Sequence, residues 1–94
     1  MKEGFDYPRD RHKMFFYVYL ITSKVKNKTI SYVGYTKDVR KRLKLHNSGK
    51  GAKFTRGKEW KIIYIKKYKT KRRAMIEEYK LKKNYLLRKK LKNE

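Results

Sequence analysis

Ninety-four residues make one small domain, and the absence of cysteine excludes both a disulfide framework and a thiolate metal site. Thirty Lys and Arg against eight Asp and Glu leave a formal charge of +22, spread along the whole chain. Self-repulsion on that scale is relieved by a polyanion, so DNA or RNA is the expected partner, and binding should run chiefly through phosphates.

In chain order, residues 1–13 hold Gly4 and the only proline, Pro8, among mixed charges, and read as a flexible basic arm ahead of one domain over 14–92. Phe15–Ile21 is a continuous aromatic and β-branched run, too short to span a bilayer, and reads as a strand buried on both faces. Lys24–Lys28 is turn-like, and Thr29–Tyr35 returns as the second strand of an antiparallel hairpin. A helix follows, with Thr36 as its expected N-cap, Asp38 in its first turn, and Val39 and Leu43 spaced i, i+4. Asp38, Arg42 and His46 form what reads as its opposite stripe. Asn47–Gly51 ends the helix, and Ala52–Lys58 reads as an exposed basic loop whose Lys53, Thr55 and Arg56, with Lys50, are candidates for nucleic-acid contact. Trp60–Tyr68 is a third strand, Thr70 caps a second helix, and Tyr85–Leu91, after an interruption at Asn84, gives a last basic amphipathic turn or two. The pattern β-β-α-β-α-α predicts an α/β fold, a small antiparallel three-stranded sheet flanked by helices.

His12 and His46 share no spacing seen in zinc motifs, and no phosphate-binding Gly-x-x-x-x-Gly-Lys loop or Gly-x-Ser-x-Gly turn is present. Phosphodiester cleavage needs fewer parts: activated water, a cation near the phosphate, and a group that stabilises the pentavalent transition state. Mg²⁺ tolerates one protein carboxylate plus waters and phosphate. Glu78 lies on the inward stripe of the second predicted helix with Ala74 and Leu81, whereas Glu77 should point to water. A carboxylate on an inward stripe either pairs with Lys or Arg or binds metal, and both readings stand.

Tyr17-Val18-Tyr19 and then Tyr32-Val33-Gly34 resemble the paired tripeptides of the GIY-YIG nuclease superfamily, with Tyr17 standing where the family name has glycine. Asp38-Val39, Arg42-Leu43, His46-Asn47-Ser48-Gly49, the loop Gly49–Gly57 and the helix from Ala74 to Glu78 extend the likeness to small stand-alone bacterial members, over roughly residues 15 to 83. The resemblance implies a GIY-YIG-type endonuclease, with Glu78 binding Mg²⁺ or Mn²⁺ and Arg42 contacting the scissile phosphate. It further implies Tyr32 as general base or water-orienting group with Tyr19 beside it, and His46 as base or proton shuttle. A neighbouring metal and guanidinium are expected to depress a phenol toward neutrality. Gly34 reads as structural, permitting close approach of backbone.

The expectation is a cytoplasmic monomer cutting branched, damaged or single-stranded DNA with weak sequence preference, in DNA repair or recombination. A lone domain has little means of reading bases in a groove. The rival expectation is a non-catalytic nucleic-acid-binding module on the same fold. An acidic membrane surface attracts the same charge, but the aromatics lie in strand patterns rather than along one amphipathic helix.

Overall fold

Phe16–Val25 (β1) is the central strand of the sheet because both of its faces are apolar. Tyr17, Tyr19 and Ile21 point to one face and Val18 and Leu20 to the other, and Tyr17 through Ser23 are all buried. Lys28–Thr36 (β2) and Lys61–Tyr68 (β3) pair antiparallel on either side, giving the order β2-β1-β3. The computed structural model describes residues 14–93; the expected basic arm lies outside the described residues.

β1 runs four residues past the hydrophobic segment that announces it. Thr22, Ser23, Lys24 and Val25 stay in register with Ser31, Ile30, Thr29 and Lys28, so the turn shrinks to Lys26-Asn27. Lys26 supplies the positive φ, 59°, that a two-residue hairpin loop requires. Polar composition concealed this extension, since a ladder is held by main-chain bonds that any side chain permits.

Among the described residues three helices complete the fold: Val39–Asn47 (α1), Lys71–Lys83 (α2) and Tyr85–Lys92 (α3). Val39 and Leu43 of α1 join Tyr17, Tyr19, Ile21, Trp60 and Ile62 on one face of the sheet. Ala74 and Leu81 of α2 and Leu91 of α3 join Val18, Leu20 and Val33 on the other. Full burial of Leu20 and Ile21, both at 0% exposure, contributes roughly 2 kcal/mol each. The caps of α2 and α3 are side chains of Thr70 and Asn84, which accept from Arg73 N and Leu87 N.

Helix α1 differs from the sequence expectation in two ways. Asp38, not Thr36, is its N-cap, accepting from Lys41 N at 3.0 Å, while the Thr36 hydroxyl accepts from Asp38 N one step earlier. Arg42 and His46 also do not form a stripe opposed to Val39 and Leu43. Positions 39, 42, 43 and 46 follow the i, i+3, i+4, i+7 spacing of a single face, and that face meets the sheet.

The end of α1 is tied to the start of β3 by one side chain. Asn47 donates to Trp60 O at 3.2 Å and accepts from Trp60 N at 2.6 Å, and the Trp60 indole donates to Thr55 O at 2.9 Å. Asn47→Ala strips a buried main-chain pair of both partners and is expected to cost about 1–3 kcal/mol, read from the midpoint of chemical denaturation. A loss below a few tenths of a kcal/mol would show that water replaces the bridge.

Candidate active site

The inward face of α1 delivers two polar side chains to the sheet along with its apolar ones. His46 is entirely buried, its Nε2 2.8 Å from the Tyr19 hydroxyl and its Nδ1 2.9 Å from the Thr55 hydroxyl. The Tyr32 ring meets the imidazole edge-on at 5.1 Å between centroids. Two glycines make room for this group. Gly34 sits opposite Tyr19 in the hairpin register, and a Cβ there would lie 2.6 Å from the Tyr19 Cζ. A Cβ on Gly51 would lie 2.8 Å from the His46 Cγ. Gly34 is structural, as expected, although it admits a phenol rather than a backbone.

Burial sets the protonation of the pair. The Tyr19 phenol is pushed up to about 12 by loss of solvent; the Arg42 guanidinium beside it pulls the other way by hydrogen bonding and by charge, and the charges of Tyr32 and Glu78 reinforce burial. At Tyr19, desolvation of the phenolate outweighs the attraction of the guanidinium. His46 is lowered to about 4, first by burial and then by Arg42, so its imidazole is neutral at pH 7.

Arg42 itself is underused. Its Nη2 donates to Gly51 O at 3.4 Å, a long bond, and its Nε is buried with no hydrogen-bond partner among the described residues. Buried charged donors without partners are rare, and a guanidinium in that state favours an incoming anion.

Glu78 comes from α2, on the opposite face of the sheet from α1, yet its charge bears on the Tyr19 phenol along with that of Arg42. Its side chain is 17% exposed and meets Lys82 at 3.3 Å. Glu77 does not point freely to water: at 21% exposure it pairs with Arg73 at 3.1 Å and Lys80 at 3.6 Å. It also faces β3, where its charge adds to burial in raising Tyr64 and Tyr68. Among the described residues no three His, Cys, Asp or Glu side chains gather around a common point. The arrangement suits a hard cation held by one carboxylate plus water and phosphate oxygens, and Lys82, on the surface in a weak ion pair, can yield that carboxylate.

The loop from Lys50 to Lys58 is mixed. Lys50, Lys53 and Arg56 are exposed, as a phosphate-contacting loop needs. Thr55 is not: it is 0% exposed and faces His46, which corrects its assignment to the exposed set. A Thr-Arg pair in a basic loop carries no sign that its hydroxyl turns inward. Sequence reasoning also passed over Phe54, which is 51% exposed, lies nearly parallel to Tyr32 at 6.2 Å, and receives Lys58 over its ring at 5.4 Å. The signal was there: a single large aromatic in an otherwise polar loop.

A formal charge of +22 on so small a domain, with a guanidinium donor that lacks a partner among the described residues, suits a polyanion. Residues 15–92 match the GIY-YIG catalytic domain, and the chain belongs to that family, part of a nuclease superfamily whose substrates are nucleic acids. It is similar to a UPF0213 protein of Oceanobacillus iheyensis, 42% identical over 67 residues covering 70% of this chain and 74% of the relative. A UPF0213 protein of Bacillus velezensis is 47% identical over 69 residues, 72% of this chain and 65% of the relative. The UPF0213 protein YazA of Bacillus subtilis is 49% identical over 53 residues, 55% and 54%. The matched segments thus span from about half to three-quarters of these relatives, and their names state no activity. No solved structure matches at comparable significance. Among the described residues no helix is long and apolar enough to cross a membrane.

The lowered His46 has a stability consequence. Between its ordinary value of 6.5 and about 4, the unfolded chain takes up a proton that the folded chain refuses, so stability is lost as pH falls through that window and the loss stops near pH 4. His46→Gln is expected to flatten this dependence by about 2 kcal/mol between pH 7 and pH 4.5, measured by denaturant unfolding of both proteins. Parallel pH profiles for wild type and variant would show that His46 is not held neutral by burial.

Proposed function

We propose that this chain is a metal-dependent endonuclease that hydrolyses DNA phosphodiester bonds, favouring unpaired or branched strands over sequence. The observation that carries this reading is the buried Nε of Arg42, which has no hydrogen-bond partner among the described residues, in a guanidinium beside the Tyr19 hydroxyl. A phosphodiester oxygen is the anion that satisfies it, and a planar guanidinium fork follows the charge as it grows on the equatorial oxygens in the transition state.

Tyr32 is close enough to Tyr19 for their charges to interact, and in this reading its hydroxyl takes a water molecule and orients it toward phosphorus. As the new oxygen–phosphorus bond forms and the bond to the leaving nucleoside oxygen breaks, the attacking water's proton passes to the tyrosine pair and on to the neutral His46, while the leaving oxygen takes a proton from solvent water. A phenol near 12 stays protonated at neutral pH, so Tyr19 carries a proton rather than acting as a standing phenolate. The negative phosphate beside Arg42 offsets the cation that holds His46 low, and raises its capacity to accept. Glu78 would hold Mg²⁺ or Mn²⁺, which supplies Lewis-acid stabilisation of the phosphoryl oxygens.

Substrate form follows from the loop. Lys50, Lys53 and Arg56 supply phosphate contacts without sequence information, and the exposed Phe54 ring offers a stacking surface that only an unpaired base can reach.

Nicking of single-stranded, flapped and duplex DNA with Mg²⁺ or Mn²⁺ tests the reading. Wild type should cut only with metal, and Glu78→Ala and Arg42→Ala should each lower cutting by about 100-fold or more while binding survives. Binding without cutting by wild type would leave a module on a nuclease fold; unchanged cutting in either variant would move the site elsewhere. In the loop, Lys50→Ala with Lys53→Ala should reduce the slope of log affinity against log salt by about 2, whereas Phe54→Ala should erase the preference for unpaired strands at an unchanged slope. An identical slope after the lysine changes would remove the loop from the interface.

A further inference from the structure

The least expected feature of the site is the inward turn of Thr55. Its hydroxyl sits among three partners: the His46 Nδ1 at 2.9 Å, Ala52 O at 3.0 Å and Ala52 N at 3.2 Å. A hydroxyl has one proton to give. A carbonyl oxygen only accepts, and two oxygens 3.0 Å apart repel unless a proton lies between them, so the Thr55 proton belongs to Ala52 O. The amide of Ala52 can only donate to the Thr55 oxygen. The same oxygen must then receive a proton from Nδ1, which leaves Nε2 of the neutral imidazole with its lone pair. That lone pair faces the Tyr19 hydroxyl at 2.8 Å, and the phenol has to be the donor. Arg42 agrees, since a guanidinium beside the phenol oxygen can only donate and needs no proton from Tyr19.

We propose that Thr55 is a positioning residue whose hydroxyl locks His46 in the Nδ1–H tautomer, so that Nε2 stands open to accept the Tyr19 proton. Gly51 belongs to the same device, because only a residue without Cβ lets the loop fold over the imidazole closely enough for Thr55 to reach Nδ1. In the opposite tautomer Nε2–H would meet the phenol as donor, and the path for a proton from water through Tyr19 to His46 would be blocked. The orienting partner is here a hydroxyl anchored to main chain rather than a carboxylate, which fixes direction without adding a negative charge beside the phosphate. The consequence for cutting rests on the nuclease reading; the tautomer does not.

Nitrogen-15 spectra of the full chain labelled at histidine, at neutral pH, read the tautomer directly, with His46→Gln assigning the His46 signals against those of His12. Wild type should show a protonated Nδ1 and a bare Nε2. Thr55→Val, which keeps the shape and removes the hydroxyl, should lose that preference and cut about 100-fold more slowly with little change in KM, while Thr55→Ser restores both. A proton on Nε2 in the wild type overturns the proposal, as does a Thr55→Val protein that keeps the Nδ1–H form. Should Thr55→Val fail to fold, the wild-type tautomer and its retention in Thr55→Ser decide. If wild type cuts no DNA yet holds the stated tautomer, the nuclease reading fails while the lock stands.

Discussion

The hydrogen bond between the Tyr19 hydroxyl and the His46 imidazole, buried at 2.8 Å, is the constraint around which the site is arranged. Neither group is easily hidden from water, and each satisfies the other. Their union dictates a glycine at 34 under the phenol and a glycine at 51 beside the imidazole. It also dictates the tight α1, whose inward face must carry polar groups at 42 and 46 as well as apolar ones at 39 and 43. The two faces of the sheet consequently differ: Val18, Leu20, Val33, Ala74 and Leu81 form an apolar cluster on the α2 and α3 side, whereas the α1 side mixes packing with the Tyr19–His46 pair.

Electrostatics in this protein operate at two ranges. The long-range field of +22 favours any polyanion and says little about where it is held. At short range, burial decides: desolvation overrides the guanidinium at Tyr19 and combines with it at His46. The result is a protonated phenol next to a neutral imidazole at pH 7, although a strong cation stands within reach of both.

Much of the architecture was legible in the residues. Aromatic and β-branched runs marked all three strands, most plainly at Tyr17–Ile21 of β1, where burial on both faces leaves no polar position to disguise it. Thr70 and the spacing of Ala74, Glu78 and Leu81 gave α2 and its inward side. The family motifs picked out Tyr19, Tyr32, Arg42, His46 and Glu78, and the geometry gathers Tyr32, Arg42 and His46 around Tyr19, with Glu78 acting on it by charge from α2. What stayed hidden was the direction of polar side chains. Arg42 and His46 looked like a solvated stripe because charge usually faces water, and Thr55 looked like loop surface because its neighbours are Phe54 and Arg56. Helical spacing in fact puts positions 42 and 46 on the face of Val39 and Leu43, whereas for Thr55 only its tertiary partner His46 reverses the default, and no periodicity encodes that. Glu77 was misjudged for the same reason, since two basic neighbours on α2 hold it against the helix.

The contributors to the site come from β1, β2, α1, the loop before β3, and α2, and the strands of the shared sheet supply side chains to both packed faces. Arg42, His46 and Thr55 lie in one stretch, but Tyr19, Tyr32 and Glu78 reach them only through the sheet and α2, against which the helices pack. A proteolytic fragment lacking either terminal half would therefore retain neither core nor chemistry. In this molecule competence is all or nothing, acquired when the last helix docks and surrendered with the first strand that leaves.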